Sequence, residues 1–392
     1  MEGSTPGARY RFVTGSEDGH LQTEITKILG IEIPIFAFSH CRDVVAAVTK
    51  AGGMGSLGAA WMTPEELEMS IEWIEQRVDG RPFSVDLVFP GTGGEDVEKT
   101  PAEYRKMIPQ SHLEFVKHML DDAGIADLSE KDRDEYLAES AEKMSMTNKK
   151  SREQLEVVLS KKSVNLVVGA LGVTPDWVVK EAHSKGVKVG ALVGSGRHAA
   201  KQREAGVDVL VAQGTEAGGS VGNIASMVLW PQVVEAAAGT PVLAAGGISR
   251  GSQILAALAL GCQGVWMGSL WLGTAESDLS IEMREKLFAA ASEDARIAKV
   301  MTGKQGRMLY TKYVENWQKP DAPQPLQWPM QSILNGYPYK RAERGRNLDY
   351  WTYAVGQVVG DMHEHTTVKS EIERMLNEYV EALEKLQGVT AY

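Results

Sequence analysis

Residues 209–222 (VLVAQGTEAGGSVG) combine an apolar run with residue types that could contact a ligand. The first four residues are apolar, which is typical of a buried strand. The loop that follows contains polar residues and three glycines, and its candidate contacts are Gln213, Gly218, Gly219 and Ser220. Glycine lets backbone approach a ligand closely, so the stretch predicts a binding loop at a strand end. An ordinary glycine-rich turn is the alternative.

Two later turns carry residue types that suit an anion. The seventh predicted strand leads into Gly246, Gly247 and Ile248, and the eighth leads into Gly268 and Ser269. Their amides and a serine hydroxyl can bind phosphate oxygens, and a helix expected to start near residue 252 would present its positive end to them. Phosphates are often bound after strands seven and eight of a barrel, so the pattern predicts a phosphate-bearing cofactor.

The glycine-rich run at residues 51–56 (AGGMGS) favours a flat cofactor lying across the barrel mouth, with FMN as the leading choice. A sugar phosphate or pyridoxal phosphate would use the same anchor. Pyridoxal phosphate needs a lysine at a strand end, whereas Lys188 lies at a strand start. Arg250 could add charge to the anchor or be solvated in a short surface turn.

Eight short apolar runs alternate with helix-like stretches. Most are apolar on both faces and bounded by Gly or Pro, which is typical of parallel strands covered by helices. The predicted strands are residues 33–38, 54–57, 83–88, 165–169, 188–192, 209–212, 242–245 and 264–267. Thr-Pro-acidic sequences at 63–66 and 174–176 predict helix starts. The alternation predicts an α/β fold, a (β/α)8 TIM barrel, with a doubly wound open sheet as the alternative.

The chain is predicted to have three parts. The barrel comprises residues 20–90 and 160–280, interrupted after the third strand by a helical insertion at 91–159 that opens with GTGG. Residues 281–392 form a C-terminal helical extension or cap, with a Pro- and Trp-rich connector at 320–338. Residues 1–20 are expected to form a loose arm.

Composition narrows the function classes. The 392 residues are 43% hydrophobic and 24% charged, with a formal net charge of −11, which argues against nucleic acid or an anionic membrane as the main partner. Cys41 and Cys262 are the only cysteines, so no disulfide framework or thiolate metal site is expected. The first 19 residues lack the apolar segment of a secretory signal, and a cytoplasmic location is the expectation.

Several motifs, in order along the chain, resemble the nitronate monooxygenase family, once called 2-nitropropane dioxygenases. The matching sequences are IPIFA at 33–37, AGGMG at 51–55, QGTEAGG at 213–219, AGGI at 245–248, MGS at 267–269 and WTYAVGQ at 351–357. The resemblance implies an FMN-dependent TIM-barrel flavoprotein. Flavin enoyl reductases acting on acyl-carrier or CoA thioesters share these motifs, which leaves a second reaction open.

The resemblance also implies roles for single residues. The FMN phosphate would be bound by the backbones of Gly246, Gly247, Ile248, Gly268 and Ser269. Gln213 would contact the flavin edge, Phe36 and Ala37 would line the flavin, and Gln357 belongs to the C-terminal aromatic-GQ element. Asp86 falls where the family often has an asparagine facing the flavin. A buried carboxylate there needs a hydrogen-bond partner or a raised pKa.

The main departure from the family is Ser220, because the family typically has a histidine directly after EAGG that serves as general base. A serine hydroxyl does not titrate near neutrality and cannot replace that base unaided. A neutral nitroalkane must lose a proton before oxidation, whereas a nitronate is already deprotonated. We therefore expect nitroalkane oxidation to be lost while nitronate oxidation survives. His40, after the first strand, is the candidate substitute, with a capping or packed histidine as the alternative.

No metal site is predicted, since His363 and His365 form an isolated pair that suits a solvated loop. Three functions remain open. The first is oxidation of alkyl nitronates by O2 to a carbonyl compound and nitrite, in a pocket lined by C-terminal aromatics such as Trp317. The second is NAD(P)H-dependent reduction of an unsaturated thioester, with the basic residues at 340–346 holding a CoA phosphate. The third is a catalytically weak flavoprotein. The partner is then a small molecule, and a homodimer is one alternative for the assembly.

Overall fold

The computed structural model describes residues 21–89, 100–143 and 147–389. The barrel strands are Ile35–Ser39 (β1), Met54–Gly58 (β2), Phe83–Leu87 (β3), Val164–Gly169 (β4), Lys188–Val193 (β5), Val209–Gln213 (β6), Val242–Ala245 (β8) and Gly264–Met267 (β9). All eight are parallel, and β9 pairs with β1 to close the sheet. The predicted TIM barrel is therefore confirmed, and the open-sheet alternative is wrong.

Helices follow the strands around the barrel and fill the two additions. They are Glu24–Leu29 (α1), Arg42–Lys50 (α2), Pro64–Glu75 (α3), Pro101–Lys106 (α4), Gln110–Asp122 (α5), Glu130–Lys143 (α6), Asn148–Ser160 (α7), Asp176–Ser184 (α8), Gly196–Glu204 (α9), Ser226–Ala237 (α10), Gly251–Ala259 (α11), Ile281–Phe288 (α12), Lys312–Asn316 (α13), Met330–Arg344 (α14) and Val368–Val389 (α15). Short 3-10 helices span Ser269–Gly273, Ser292–Asp294 and Gln357–Asp361.

Both Thr-Pro-acidic sequences lie at helix starts as expected, and one of the two helices begins one residue later than predicted. Thr63 Oγ1 accepts a hydrogen bond from the Glu66 amide at 3.2 Å, and Glu66 accepts one from the Thr63 amide at 3.0 Å. This reciprocal cap begins α3. At the second signal Pro175, rather than Thr174, is the N-cap, so α8 begins one residue later than predicted.

The barrel interior is closed at the amino ends of its strands. Alternate strand residues point inward and form an apolar interior cluster together with Ile25 and Leu29 of α1. Helix α1 is tied in place because Thr23 Oγ1 donates to the Gln263 carbonyl at 2.7 Å and Asn165 Nδ2 donates to the Leu29 carbonyl at 2.6 Å. Since α1 plugs this end, a ligand can enter only at the carboxyl ends of the strands.

The insertion and the C-terminal extension pack against each other. Apolar residues of α5 join residues of α13 and α14 in a second core, which includes Val116, Leu120, Val314, Trp317 and Leu334. Beside it, Gly219–Ser220 (β7), Ala295–Ala298 (β10) and Gly306–Leu309 (β11) form a three-stranded antiparallel sheet. We call this the cap sheet. The chain's extension thus supplies two strands to a sheet whose third strand comes from a barrel loop.

The predicted arm at 1–20 and the GTGG turn at 91–94 lie outside the described residues. The three-part division of the chain stays a prediction. None of the helices in the described parts combines the length and apolarity that a bilayer span requires.

Candidate active site

Four separate segments meet at the carboxyl ends of the barrel strands. The Gly214 amide, after β6, donates to the Ala245 carbonyl of β8 at 2.9 Å. The Gly356 amide donates to Ser269 Oγ, after β9, at 2.8 Å. The Gln357 amide donates to the Glu216 carbonyl at 2.9 Å. The structure therefore brings together the loop after β6, Ser269 and the C-terminal GQ element.

The turn after β8 presents unused amides. Gly246 and Gly247 have φ angles of 96° and 72°, a conformation that favours glycine. The amides of residues 246–248 and 268–269 donate no hydrogen bond within the described part of the chain. A side chain at Gly268 would find its nearest neighbour, the Phe38 ring, 3.8 Å away, so space is open beside it. These features suit a phosphate group.

The amino end of α11 does not take part as expected. The Gly251 amide donates to Glu378 Oε2 of α15 at 2.8 Å, so a carboxylate of the chain itself occupies the positive end of the helix. Arg250 forms an ion pair with Asp361 at 2.6 Å, and the Arg250 guanidinium holds the pKa of Asp361 below its usual range. The helix start therefore does not contribute as expected, because Glu378 already occupies it. Arg250, for which added charge and solvation were both open, is paired with Asp361.

The loop after β6 is fixed through its own side chains. Gln213 Nε2 donates to the Ser220 carbonyl at 2.7 Å, and Ser220 pairs with Gly306 in the cap sheet. Ser220 is exposed at the mouth. Gly218 permits close packing of the extension, because a Cβ there would lie 2.7 Å from the Gly356 nitrogen. Gly219 has a φ of 75° with open space around it. Contact of Gln213 with a flavin edge stays a prediction.

A buried arginine that the sequence reasoning missed supports the same loop. Arg307 is 7% exposed, and its Nε donates to the Thr215 carbonyl at 2.9 Å. Burial lowers the pKa of Arg307, while the charge of Glu216 opposes that shift. Glu216 itself accepts from the Ser226 hydroxyl at 2.8 Å and so braces the start of α10. No local pattern marks Arg307, because its importance arises from the pairing of β11 with β7.

The first strand buries Phe36 and Ala37 and leaves Phe38 half-buried. Phe36 is fully buried in the interior cluster, where its ring lies 6.1 Å from the ring of Trp266. Ala37 is also fully buried and packs in the core between the strands and the helices. That Phe36 and Ala37 line the flavin stays a prediction. Phe38, two residues after Phe36 on the same face, is half-buried near the mouth, and the two-residue period could have identified it.

His40 is held in one tautomer at the mouth. Its Nδ1 lies 2.8 Å from the Gly58 carbonyl, which can only accept, so Nδ1 carries the proton and Nε2 has the free lone pair. A Cβ at Gly58 would lie 2.7 Å from both His40 Nδ1 and the Phe38 ring, so both rings cover this glycine. The His40 ring is therefore packed on the side that covers Gly58, as the alternative interpretation expected. Its Nε2 still has a lone pair that can accept a proton.

Asp86 is an unsatisfied carboxyl group inside the barrel. It is 3% exposed, and its Oδ2 has no hydrogen-bond partner among the described residues. Phe83, Val85 and Leu87 pack in the outer core, so the alternating Asp86 points inward. Burial raises its pKa well above the usual range, which favours a neutral acid that can donate a hydrogen bond. Ser56 Oγ on β2 is also buried without a described partner.

The Asp86 carboxyl and the unused amides after β8 lie on opposite sides of the barrel mouth. In the closed barrel order, three strands lie between β3 and β8 in either direction, so Asp86 and the amides of residues 246–248 are on opposite sides. A ligand with a phosphate at one end and hydrogen-bonding ring atoms at the other would satisfy both. These residues therefore fit a flat, phosphate-bearing cofactor.

Other predicted contributors lie elsewhere. Trp317 is buried in the second core and does not line the mouth. The four cations at 340–346 are all ion-paired, with partners Glu343, Asp121, Asp132 and Glu282 at 2.7, 3.0, 2.7 and 2.7 Å. A CoA phosphate site there stays one of two alternatives. No cluster of three or more His, Cys, Asp or Glu residues suited to a metal is found among the described residues.

Comparison with known proteins places the chain in a family. A Mycobacterium tuberculosis protein provisionally named a monooxygenase, Rv1533, is 41% identical over 377 residues, covering 94% of this chain and 99% of that protein. The structure of FabK from Thermotoga maritima is similar with a TM-score of 0.69 and 26% identity, covering 94% and 99% of the two chains. The nitroalkane oxidase of Streptomyces ansochromogenes shares the fold, with a TM-score of 0.73, 24% identity and coverage of 92% and 99%.

The family comparison agrees with the site. The family model named nitronate monooxygenase matches residues 22–378, which include all eight barrel strands and the four segments that meet at the mouth. Its members are flavin-dependent oxidoreductases, in keeping with the amides and the carboxyl group that face each other there. The chain belongs to the nitronate monooxygenase family and is an oxidoreductase.

Proposed function

We propose that the chain binds FMN across the barrel mouth and oxidises alkyl nitronates with O2, giving a carbonyl compound and nitrite. The observation that carries the proposal is the opposition of the unused amides at residues 246–248 and the unsatisfied Asp86 carboxyl. FMN has its phosphate at the end of a side chain and its hydrogen-bonding ring at the other end, which suits one anion site opposite one ring-facing donor. Membership of the family supports the reaction class.

Different residues of the mouth would bind different parts of FMN. Amides at 246–248 and 268–269 would hold the phosphate, and the neutral Asp86 would donate to a ring heteroatom. Phe38, half-buried beside Trp266 with 6.3 Å between ring centroids, would contribute an apolar wall. When bound, the flavin supplies the electron-transfer chemistry with O2. The exposed loop at Ser220 would form the opposite wall of the substrate pocket.

Substrate choice follows from the proton that must be removed. Ser220 has no group that accepts a proton near neutral pH. His40 Nε2 is the base that the mouth offers instead, and its tautomer is set by the Gly58 carbonyl. A nitronate needs no base because it is already deprotonated. We therefore infer that nitronates are the substrates, with slow turnover of neutral nitroalkanes through His40.

A reductase of unsaturated thioesters is the second candidate, and the absence of a histidine at position 220 favours it. The ion-paired cations at 340–346 weaken it, because they leave no free basic patch for a CoA phosphate. A catalytically weak flavoprotein is the third. The three differ in how the bound flavin responds to electron donors.

The visible spectrum of the purified protein, recorded without oxygen, separates these candidates. Flavin bands that persist after NADH and NADPH, followed by bleaching with an alkyl nitronate, are the expected result. Rapid bleaching by either nucleotide would favour the thioester reductase. An unchanged spectrum with every substrate would favour the weak flavoprotein. A protein that shows no flavin bands even after reconstitution with FMN would overturn the cofactor assignment.

A further inference from the structure

The C-terminal helix α15 holds the residues that directly follow the turn at 246–248. Arg374 Nη2 donates to the Ser249 carbonyl at 2.8 Å, and Glu378 Oε2 accepts from the Gly251 amide at 2.8 Å. Ser249 is 1% exposed, so its carbonyl depends on a donor from the protein. Two side chains of α15 thus contact the backbone immediately after the amides that we propose for the phosphate.

Arg374 is itself fixed by two carboxylates of its own helix. Its Nη2 pairs with Glu371 at 2.6 Å, and its Nη1 pairs with Glu378 at 2.6 Å. Because the guanidinium is planar and rigid, these two partners set the direction in which Nη2 donates to Ser249. Glu378 uses its second oxygen for the Gly251 amide. Arg374 therefore holds Ser249 directly and Gly251 through Glu378.

Close backbone packing brings α15 against the start of α11. A Cβ at Gly251 would overlap the Met375 carbonyl oxygen and the Tyr379 nitrogen of α15, so glycine is required at this position. Met375 and Tyr379 are both buried in the core that surrounds the barrel strands. The face of α15 that includes Arg374 is therefore anchored by apolar burial as well as by ion pairs.

Gln253 of α11 connects these residues to the turn at 246–248. Its Oε1 accepts from the amides of Ser249 and Arg250 at 2.8 and 3.0 Å. Its Nε2 donates to the Gly247 carbonyl at 2.6 Å. In a planar trans peptide, the C=O of one residue and the N–H of the next point in opposite directions. The Ile248 amide therefore points away from Gln253, and its direction is set by the contact at Gly247.

The backbone groups from residue 246 to residue 251 divide into two sets. Contacts with side chains of α11 and α15 use the Gly247 carbonyl, both backbone groups of Ser249, and the amides of Arg250 and Gly251. The amides of residues 246–248 donate no hydrogen bond within the described part of the chain. A turn that is bonded on its outer side needs little ordering when a ligand arrives, and such pre-organisation favours binding.

We propose that Arg374 is a positioning residue for the FMN phosphate, and that it acts through Ser249 and Gly251 without contacting the flavin. The inference rests on the proposed function, since it requires FMN at the barrel mouth. It gives the C-terminal helix a part in cofactor affinity, although α15 lies outside the barrel. Loss of Arg374 should therefore weaken binding of the phosphate and spare binding of the flavin ring.

Riboflavin and FMN together test the proposal, because riboflavin has the same ring and lacks the phosphate. Flavin fluorescence measures both dissociation constants on the full chain after bound flavin has been removed, and the unaltered protein should bind FMN more tightly. Arg374→Ala should lower the ratio of the two affinities about tenfold, with riboflavin affinity nearly unchanged, since a hydrogen bond from a charged donor is lost. Lys369→Ala is the matched control, because it removes an 80% exposed cation of the same helix, and it should leave the ratio unchanged.

A milder variant keeps the test valid if Arg374→Ala does not fold. Arg374→Lys retains the charge but presents one ammonium in place of the planar fork, so it should lower the ratio by a smaller factor. Equal weakening of FMN and riboflavin would overturn the proposal, because Arg374 would then stabilise the barrel as a whole. A ratio that is unchanged in both variants would overturn it as well. Equal affinities of the unaltered protein for FMN and riboflavin would instead overturn the phosphate site itself, and this inference with it.

Discussion

Replacement of Asp86 by asparagine should make the protein more stable at neutral pH, although it removes an acidic group from the barrel interior. Asp86 is 3% exposed and its Oδ2 has no described hydrogen-bond partner. Burial disfavours the charged form and raises the pKa of this carboxyl well above its usual range. In the unfolded chain the same carboxyl titrates near pH 3.9. The folded state therefore retains a proton that the unfolded state loses.

The sign and size of the effect follow from proton linkage. Between the unfolded pKa and the raised folded pKa, the folded state binds one more proton, so the free energy of unfolding falls as pH rises. The slope is about −1.4 kcal/mol per pH unit for one group. Below the unfolded pKa both states are protonated and the slope disappears. An asparagine side chain does not titrate, so the Asp86→Asn variant should lack this slope.

Urea denaturation of the wild type and Asp86→Asn at several values between about pH 5 and pH 7 measures the difference directly. The stability advantage of Asp86→Asn should grow by about 1.4 kcal/mol for each pH unit, up to the folded pKa. Asp79→Asn, in an exposed turn with a φ of 52°, is the control for the same chemical change. Parallel curves for wild type and Asp86→Asn would refute the claim that Asp86 is neutral when folded.

Three further predictions concern the mouth. Ser220→His should raise kcat/KM for neutral nitroethane about 100-fold, with little change for its nitronate, since it restores a general base. If the ratio of the two kcat/KM values is unchanged, position 220 does not reach the substrate. Gly247→Ala, at a φ of 72°, should weaken FMN binding, which flavin fluorescence measures. The control Gly186→Ala, at a φ of 74° far from the site, should lower the Tm without changing FMN binding. Equal losses of FMN affinity in the two variants would contradict a phosphate site at Gly247. His40→Gln should slow nitroalkane turnover about 100-fold and spare nitronate turnover, and His198→Gln should affect neither; loss of both activities in His40→Gln would assign His40 a structural role.

The barrel could be predicted from the sequence because its signals are local. Seven of the eight barrel strands are short runs that end in, or lead directly into, glycine or a polar residue, and β3 is the exception. Gly246 and Gly247 could be located for the same reason, since backbone conformation constrains a single residue. The two-residue period of β1 is also present in the sequence, and it places Phe38 on the same face as Phe36, nearer the mouth.

The remaining features depend on contacts between distant parts of the chain. Arg307 reaches the loop after β6 across 92 residues, and Glu378 reaches Gly251 across 127. The sequence does not decide between an anion site and solvent for Arg250, because its partner Asp361 lies 111 residues away. Tertiary pairing decides whether such charges are free, and composition or periodicity does not encode it.

The order of the cap-sheet strands along the chain implies that the mouth is completed late in protein synthesis. When the ribosome has made the last barrel strand, which ends at Met267, the loop that carries Ser220 still lacks both of its sheet partners, β10 and β11. Gly356 and Gln357, which fasten the mouth from the other side, are made later still. We therefore expect the mouth to stay unassembled until the C-terminal extension has folded back onto the barrel. A nascent chain would acquire activity only after its final segment has emerged and folded back.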